Sequence, residues 1–538
     1  MDWASSDSFE DVHIENFKNL HQFNIDLDET KMQTVLLGEN AAGKSNFLEA
    51  LVIIFRDLEL GVPTTFNFEI EYQCKNQFLK AVGGPNTKGR YAIYEGQASK
   101  DGTINFSKKP ISKSTINKDK FSYLPRYVFA YYSGVSDRLL EHFDPHQNKF
   151  YRDLLAGVDD PMRPLFYARL IHSHFVLMAF YAFSQPEVNE FLEDYLDIIG
   201  LESILFVIKK PNWNRNNKVL DFWGAKGVVR EFLEDLYDAA MAPISTTETV
   251  RKDFRKSQKE EHLFLYISNQ KKLEKIAKKY GNNAEFFKRL ESTYISDLIL
   301  EVRVKVKKRH VDGEITFKEL SEGEQQLLTV LGLLRFTKEE ESLILLDEPD
   351  THLNPLWKWK YMNLLEDVVQ KPETSQIIMT THDPLVIGGL TKEEIRIFYT
   401  EKAKDEEDKE IMLVKTMAPD FDPKGLGVAG VLTSEFFKLP STLDEDTLDI
   451  LNRRNELIAK QDANKLTNQE STELKEIFYY LNNLGINTTD RDPLYEKFIV
   501  ALSKLDKPEN IKSSPVDLKK QNEIAFDILK RIMKESEK

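Results

Sequence analysis

The stretch that decides the fold is LLGENAAGKSNF, Leu36 to Phe47. Val35, Leu36 and Leu37 read as a buried strand. Phe47, Leu48, Leu51 and Ile54 recur at turn spacing, so a helix follows. Between them, Gly38 to Ser45 have phosphate-loop spacing, two glycines closed by Lys and Ser. Gly38 and Gly43 let the backbone curl so that successive amides across Glu39, Asn40, Ala41 and Ala42 point at phosphate oxygens. The helix beginning near Asn46 adds the positive potential of its unpaired N–H groups. Lys44 is placed to reach the β- and γ-phosphates of a bound nucleotide, and the Ser45 hydroxyl to ligate Mg2+.

A chain of 538 residues holds several cores. Its net charge of −15 argues against a uniformly basic nucleic-acid binder and leaves room for a local basic face. The single cysteine, Cys74, excludes an intramolecular disulfide and a cysteine-clustered zinc site, and fits a reducing, cytoplasmic location. The acidic opening MDWASSDSFEDV is unlike a signal peptide. The most apolar run, Leu165 to Phe183, contains Arg169, His172 and His174, so a buried helix is expected there and not a membrane span.

Alternating apolar residues in 10–37 suggest a hairpin ahead of the phosphate-loop strand, and residues 66–74, 91–96 and 126–134 read as further strands. Residues 151–296 read as a mainly helical insertion punctuated by Pro186, Pro211 and Pro243, with no sustained heptad. Its basic clusters, RKDFRKSQK (251–259) and KKLEKIAKK (271–279), read as solvated helix faces in preference to phosphate-contact patches. In 300–310, Val302, Val304 and Val306 alternate with Arg303, Lys305 and Lys307, the pattern of a half-exposed strand. After about Ala418 the chain reads as helical, with a capping box at Thr467–Glu470 and another helix from Val516. The expected organisation is therefore an N-terminal lobe (1–150), a helical insertion (151–296), a C-terminal lobe (297–419) and a helical C-terminal region (420–538).

Three later motifs narrow the class. Leu343 to Leu346 form an apolar strand that delivers Asp347 and Glu348 at its end, one acid for a Mg2+ shell and one to polarise an attacking water. Leu320-Ser321-Glu322-Gly323-Glu324-Gln325 opens a helix whose N-terminus can hydrogen-bond a γ-phosphate. Thr380-Thr381-His382-Asp383-Pro384 follows the next apolar run and places a histidine at the same edge.

Together these residues resemble the ABC-type ATPases, and in particular the soluble RecF- and OLD-like AAA heads. The resemblance implies an α/β fold, a mixed sheet flanked by helices, with a helical insertion and a helical C-terminal region. It implies that Gly38–Ser45 are the Walker A loop and that Asp347 and Glu348 are the Walker B acid and catalytic base. Pro349–Leu353, with Asp350, resemble the D-loop, and His382 the switch histidine. Ser321, Gly323 and Glu324 resemble the signature loop, with Glu322 and Glu324 departing from the transporter form. In this family the signature loop completes a neighbour's ATP site, which implies a homodimer or higher oligomer. The family's loop glutamine has no counterpart in YYSGVSDR (131–138), and Ser133 and Ser136 are its best substitutes. Asp490-Arg491-Asp492 follows loop-like sequence, which argues against a Toprim nuclease domain.

The tail resembles the ATPase subunits of Septu-type and retron-associated anti-phage systems. This implies control of a separate HNH nuclease, with DNA or RNA as a further partner. The alternatives are a RecF-like DNA-repair ATPase and, through Arg169 and His174 in Arg169-Leu170-Ile171-His172-Ser173-His174, a HEPN-like ribonuclease.

Overall fold

The computed structural model describes residues 9–484, apart from 29, 100–102, 135, 137, 159–162, 214–217, 252–253, 310–314, 317–319, 338–341, 370–374 and 405–409, together with 486, 526, 527, 529 and 530. Residues up to Val428 form one compact unit and those from Ala429 a second. Asp490, Asp492 and all but four residues of the expected helix after Val516 lie outside the described residues.

The expected hairpin forms from β1 (Phe9–Phe17) and β2 (Leu20–Asp26), because Val12, Ile14, Leu20, Phe23 and Ile25 all turn inward. It continues into an antiparallel sheet ordered β2-β1-β4-β5-β6-β7, through β4 (Phe68–Cys74), β5 (Gln77–Gly83), β6 (Tyr91–Ala98) and β7 (Ile104–Phe106). The head sheet runs β18 (Glu410–Met417), β17 (Ile395–Lys404), β3 (Gln33–Gly38), β16 (Ser375–Thr380), β15 (Ser342–Asp347), β8 (Tyr127–Tyr132), β9 (Leu165–Tyr167). All its pairings are parallel except β17 with β18. Every residue of β15 and β16 is buried, which accounts for the apolar runs Leu343–Leu346 and Ile377–Met379 at their centres.

Helix Lys44–Leu60 is buried along most of its length. Phe47, Leu51 and Ile54 share a core with Ile14 and Ile70 of the antiparallel sheet and with Leu345 and Ile378 of the head sheet. The helix therefore has apolar residues on nearly every face. It ends at Gly61, whose φ of 68° closes the last turn.

The insertion is richer in helix than in strand, but it also carries strands that the sequence reading did not foresee. Among the described residues, six α-helices between Asp144 and Ile295 accompany, besides β9 of the head sheet, three strands, β10 (Ile198–Lys209), β11 (Ile244–Arg251) and β12 (Ser257–Ile267). With β13 (Ile299–Lys308) and β14 (Ile315–Thr316) they make a third sheet, ordered β11-β12-β10-β13-β14. β10 was misread because a short, continuously apolar run looks alike as strand or helix. β13 behaves as expected, with its valines buried and Arg303 and Lys307 exposed. In the second unit, helices Glu445–Asp462 and Asn468–Asn483 are joined by Arg453, which donates to both carboxylate oxygens of Glu473 at 2.7 and 2.9 Å. The capping box at Thr467 and Glu470 is present.

At the end of helix Lys44–Leu60, Glu59 accepts from buried His146 at 2.7 Å and from Lys120 at 3.2 Å. Burial pushes its carboxyl up, but these partners outweigh burial and hold it down at about 2. The ionised form is thus favoured in the folded chain, and its contribution to stability is present above the unfolded value near 4.5 and is lost as pH falls from there toward 2. Melting temperature should fall over that window, and Glu59→Gln should be less stable at neutral pH but show a shallower acid loss. Thermal scans between pH 6 and pH 3 read both, and an unchanged acid slope in the variant would contradict the pairing.

Candidate nucleotide site

β3, β16 and β15 lie side by side and parallel, so their carboxyl ends open on one edge, where ligands of α/β sheets bind. Gly38, at the end of β3, has φ 140°, and a Cβ there would stand 2.3 Å from the Phe398 carbonyl oxygen of β17. Ala41 and Gly43 are also left-handed, at 63° and 97°. Glu39 to Ala42 thus form a tight curl ahead of the helix. Asn40 and Ala41 are exposed, Ala42 is buried, and Asn46 stands in the first helical turn. The Lys44 ammonium turns back into the curl, donating to the carbonyls of Gly38 at 2.8 Å and Glu39 at 3.1 Å. Burial pushes it down to about 8, with the carboxylates of Glu348 and Asp347 acting in opposition.

Asp347 is fully buried at the end of β15. Its Oδ1 accepts from Ser45 Oγ at 3.0 Å and Thr380 Oγ1 at 2.6 Å, while buried Oδ2 has no hydrogen-bond partner. Burial raises the carboxyl above its ordinary range, and the two hydroxyls oppose that shift. An unpartnered buried carboxylate oxygen is costly. Set beside a serine hydroxyl, it fits a hard divalent cation that takes one protein carboxylate and completes its shell with phosphates and water.

Glu348 follows with a left-handed backbone, φ 52°, fixed where its N–H donates to Thr380 Oγ1 at 3.0 Å. Its Oε1 lies 3.3 Å from His382 Nε2. That hydrogen bond holds the carboxyl below its usual value, against a partial burial that raises it. Asp350 accepts from Thr381 Oγ1 at 2.9 Å, and burial pushes it up to about 6. Asp383 caps the turn after His382 and pairs with Lys358 at 2.7 Å.

The helix Glu322–Thr337 begins where expected. Glu324 Oε2 accepts from the Ser321 amide at 2.7 Å and its hydroxyl at 2.9 Å, and Lys308 pairs with the other oxygen. Gly323 packs so closely on the turn after β15 that a Cβ would stand 2.4 Å from the His352 carbonyl oxygen. Buried Gln326 accepts from the His352 amide at 3.2 Å. Among the described residues, no hydrogen bond or ion pair joins Ser321, Gly323 or Glu324 to residues 38–46. The chain thus brings together the loop, both acids and His382, and carries the capped helix start against the Asp350–Leu353 turn.

Several residues went unassigned in the sequence. Thr380 stands inside a motif but drew no role, although it touches both acids. Arg138 lies in the loop searched for a glutamine, and its guanidinium donates to Asn46 Oδ1 at 2.5 Å and Glu49 Oε2 at 2.7 Å. Lys18 and His142 also hold Glu49, at 2.5 and 3.0 Å, and Asn19 links the Ala41 carbonyl to Asn46. Burial pushes Glu49 up, but its partners bring it down to about 2. Of the two suggested serines, Ser133 meets the Asp347 carbonyl through its amide at 3.2 Å and Thr351 through its hydroxyl at 3.1 Å, while Ser136 is exposed. His172 and His174 are buried on helix Ile171–Phe183, with the His172 ring 4.9 Å from that of Phe166 and its Nδ1 accepting from the Arg169 amide at 2.9 Å.

The fold and the site are those of a nucleotide-binding ATPase head, similar to the ABC-type ATPases. The family described as "AAA ATPase domain" matches residues 9–126, and that described as "AAA domain, putative AbiEii toxin, Type IV TA system" matches residues 230–388. The chain is similar to the Septu protein PtuA of Bacillus mycoides (strain KBAB4), 25% identical over 40% of this chain and 30% of that protein. It therefore spans less than a third of that relative's length. It is also similar to the Retron Vc95 probable ATPase of Vibrio cholerae serotype O1 biovar El Tor, 21% identical over 84% of each chain. Among solved structures, the Smc head domain with an extended coiled coil bound to the C-terminal domain of ScpA, from Pyrococcus furiosus, aligns over 76% of this chain and 96% of that one, at 12% identity and a TM-score of 0.29.

Thr380 generates a specific test. Thr380→Val keeps the volume of the side chain and removes the hydroxyl shared by Asp347 and Glu348. Nucleotide binding should persist while ATP turnover falls about 10- to 100-fold, the usual cost of losing a group that orients a metal ligand. Unchanged turnover would remove Thr380 from the site.

Proposed function

We propose that this chain binds ATP with Mg2+, hydrolyses it, and uses the nucleotide to associate its heads. In this way it controls a partner nuclease of the HNH type in a prokaryotic anti-phage defence complex in the cytoplasm. The observation that carries the nucleotide chemistry is the buried, unpartnered Oδ2 of Asp347 beside the Ser45 hydroxyl. Ser45 and Asp347 would hold Mg2+, which when bound supplies positive charge to the phosphate oxygens. Lys44 exchanges its two carbonyl partners for the β- and γ-phosphates, assisted by the amides of residues 39–46. Glu348, kept as a carboxylate by His382, orients the attacking water and accepts its proton. His382 positions Glu348 and contacts the γ-phosphate.

Ser321, Gly323, Glu324 and Asp350 are assigned to the ATP of a second copy, giving a homodimer or higher oligomer with composite sites. The absence of bonds between the capped helix and its own phosphate loop, among the described residues, supports this assignment. The lobes at 1–150 and 297–419 supply the sites, and the C-terminal helices are suited to docking. Similarity to Septu and retron ATPases supports the defence role.

Three variants test the reading. Lys44→Ala should abolish tight ATP binding. Glu348→Gln should bind ATP and lose at least about 100-fold in turnover. Ser321→Arg and Lys44→Ala, each inactive alone, should regain partial ATPase activity when mixed, because the mixture restores some intact composite sites. A fully active monomer would sink the composite-site assignment.

The regulator assignment is read separately. The chain alone, with Mg2+ or Mn2+, should leave plasmid DNA and total RNA intact, and cutting should appear only with a nuclease partner added. Cleavage by the purified chain would overturn it.

A further inference from the structure

The described residues of the basic cluster at 251–259 do not form a helix face. Arg251 and Ser257 to Lys259 stand at the paired end of a β-ribbon, and Phe254 to Lys256 lead into it. β11 pairs with β12 from Ile244↔Phe264 to Arg251↔Ser257, whereas β10 covers β12 only from His262 to Ile267. Ser257 to Glu260 therefore pair with β11 alone, and beyond Glu261, whose carbonyl still accepts from the Lys210 amide at 3.0 Å, the sheet narrows to two strands. Thr247, Glu248, Thr249, Arg251, Ser257, Gln258 and Lys259 are all exposed. A two-stranded ribbon with neither face covered has little apolar burial to hold it, so its extension calls for a use.

The far end of the ribbon is cationic and carries one aromatic. RKDFRKSQK contains five cations, Arg251, Lys252, Arg255, Lys256 and Lys259, against the single acid Asp253, in a chain whose net charge is −15. Phe254 is 74% exposed. The Arg255 guanidinium lies over its ring at 4.8 Å, and Arg251 donates to the Phe254 carbonyl at 3.1 Å, which fixes the backbone that presents the ring. The ribbon's glutamates stay back from the tip. Glu248 and Glu260 face each other three residues down the ribbon, and His262 lies between them at 3.7 and 3.4 Å.

We propose that this ribbon is a nucleic-acid-binding arm, which grips a single-stranded segment with Arg255, Lys256 and Lys259 on its phosphates and Phe254 stacked on a base. Cations that track a backbone, combined with an aromatic platform for a base, are what single-strand binding requires. The threonines, serine and glutamine of the ribbon offer hydrogen bonds to sugar and base edges. They also make it a poor membrane insert, since a lipid surface rewards an apolar face and the tip of this ribbon has one exposed ring. The proposal extends the reading above by naming a nucleic acid as the partner of the insertion, and it does not depend on ATP turnover.

The test is fluorescence anisotropy on the full chain, with labelled single-stranded DNA and RNA of one sequence and with vesicles containing anionic lipid as the comparison. Phe254→Ala should weaken nucleic-acid binding roughly 5- to 100-fold, the range for a lost base stack, without changing its salt dependence. The triple variant Arg255→Glu, Lys256→Glu, Lys259→Glu should weaken it further and flatten the slope of log affinity against log salt by about 0.7 for each phosphate no longer neutralised. DNA and RNA bound alike support backbone recognition, and a preference for either names the natural strand. Unaltered ATP turnover in both variants shows that the head has stayed folded. Should the wild-type chain lack ATP turnover yet bind nucleic acid through these residues, the ATPase reading fails and the arm stands. Absence of nucleic-acid binding, binding indifferent to both variants, sensitivity of vesicle binding alone, or a change in oligomeric state as the sole effect would overturn the proposal.

Discussion

Everything in the head depends on one buried carboxylate. Asp347 ends an apolar strand, where a charge can persist only if it is met by donors or a cation. Two hydroxyls satisfy one oxygen, from Ser45 at the start of a helix and Thr380 at the end of the neighbouring strand. Ser45 stands 302 residues away in sequence. The contact therefore exists only because β3, β16 and β15 are neighbours in register, and the parallel sheet in turn requires apolar runs that can be buried on both faces. The unpartnered oxygen is the part of this arrangement that folding alone does not explain, and it is the part that nucleotide chemistry would use.

A second buried charge ties the loop to its surroundings. Glu49, one turn beyond Ser45, is held by Lys18 from the β1–β2 turn, Arg138 from the loop after β8 and His142 beyond it. Three elements from different parts of the chain are thereby fastened to the helix that follows the phosphate loop. Removing a single cation would leave an incompletely paired buried acid, which is more damaging than the pair's net worth suggests. Arg138 also donates to Asn46, so this cluster and the candidate nucleotide site share a boundary.

The parts legible in the sequence were those whose chemistry is local. A glycine loop between strand and helix, four aliphatics before two acids, and a serine three residues before a glutamate each state their geometry within a few positions. Val302, Val304 and Val306 likewise announced their strand by strict alternation. The illegible parts depend on distant partners. Nothing near Thr380 says that Asp347 will be its neighbour, and nothing near Arg138 points to Glu49. The insertion was misread for a different reason: β10 is apolar on both faces, and the β11–β12 ribbon is polar on both, so neither shows the period that separates strand from helix. The threonines of ISTTETVR were the available signal, through their β-branched preference for strands.

The central claim is that Ser45 and Asp347 seat a divalent cation against the phosphates of ATP, and that a second chain's Ser321 completes the site. The most direct measurement is a crystal structure of Glu348→Gln grown with ATP and Mg2+. One cation should be held by Ser45 and the otherwise unpartnered Oδ2 of Asp347 beside the ATP phosphates, with Ser321 of a neighbouring chain on the γ-phosphate. A cation bound elsewhere, or nucleotide held within a single chain, would contradict it.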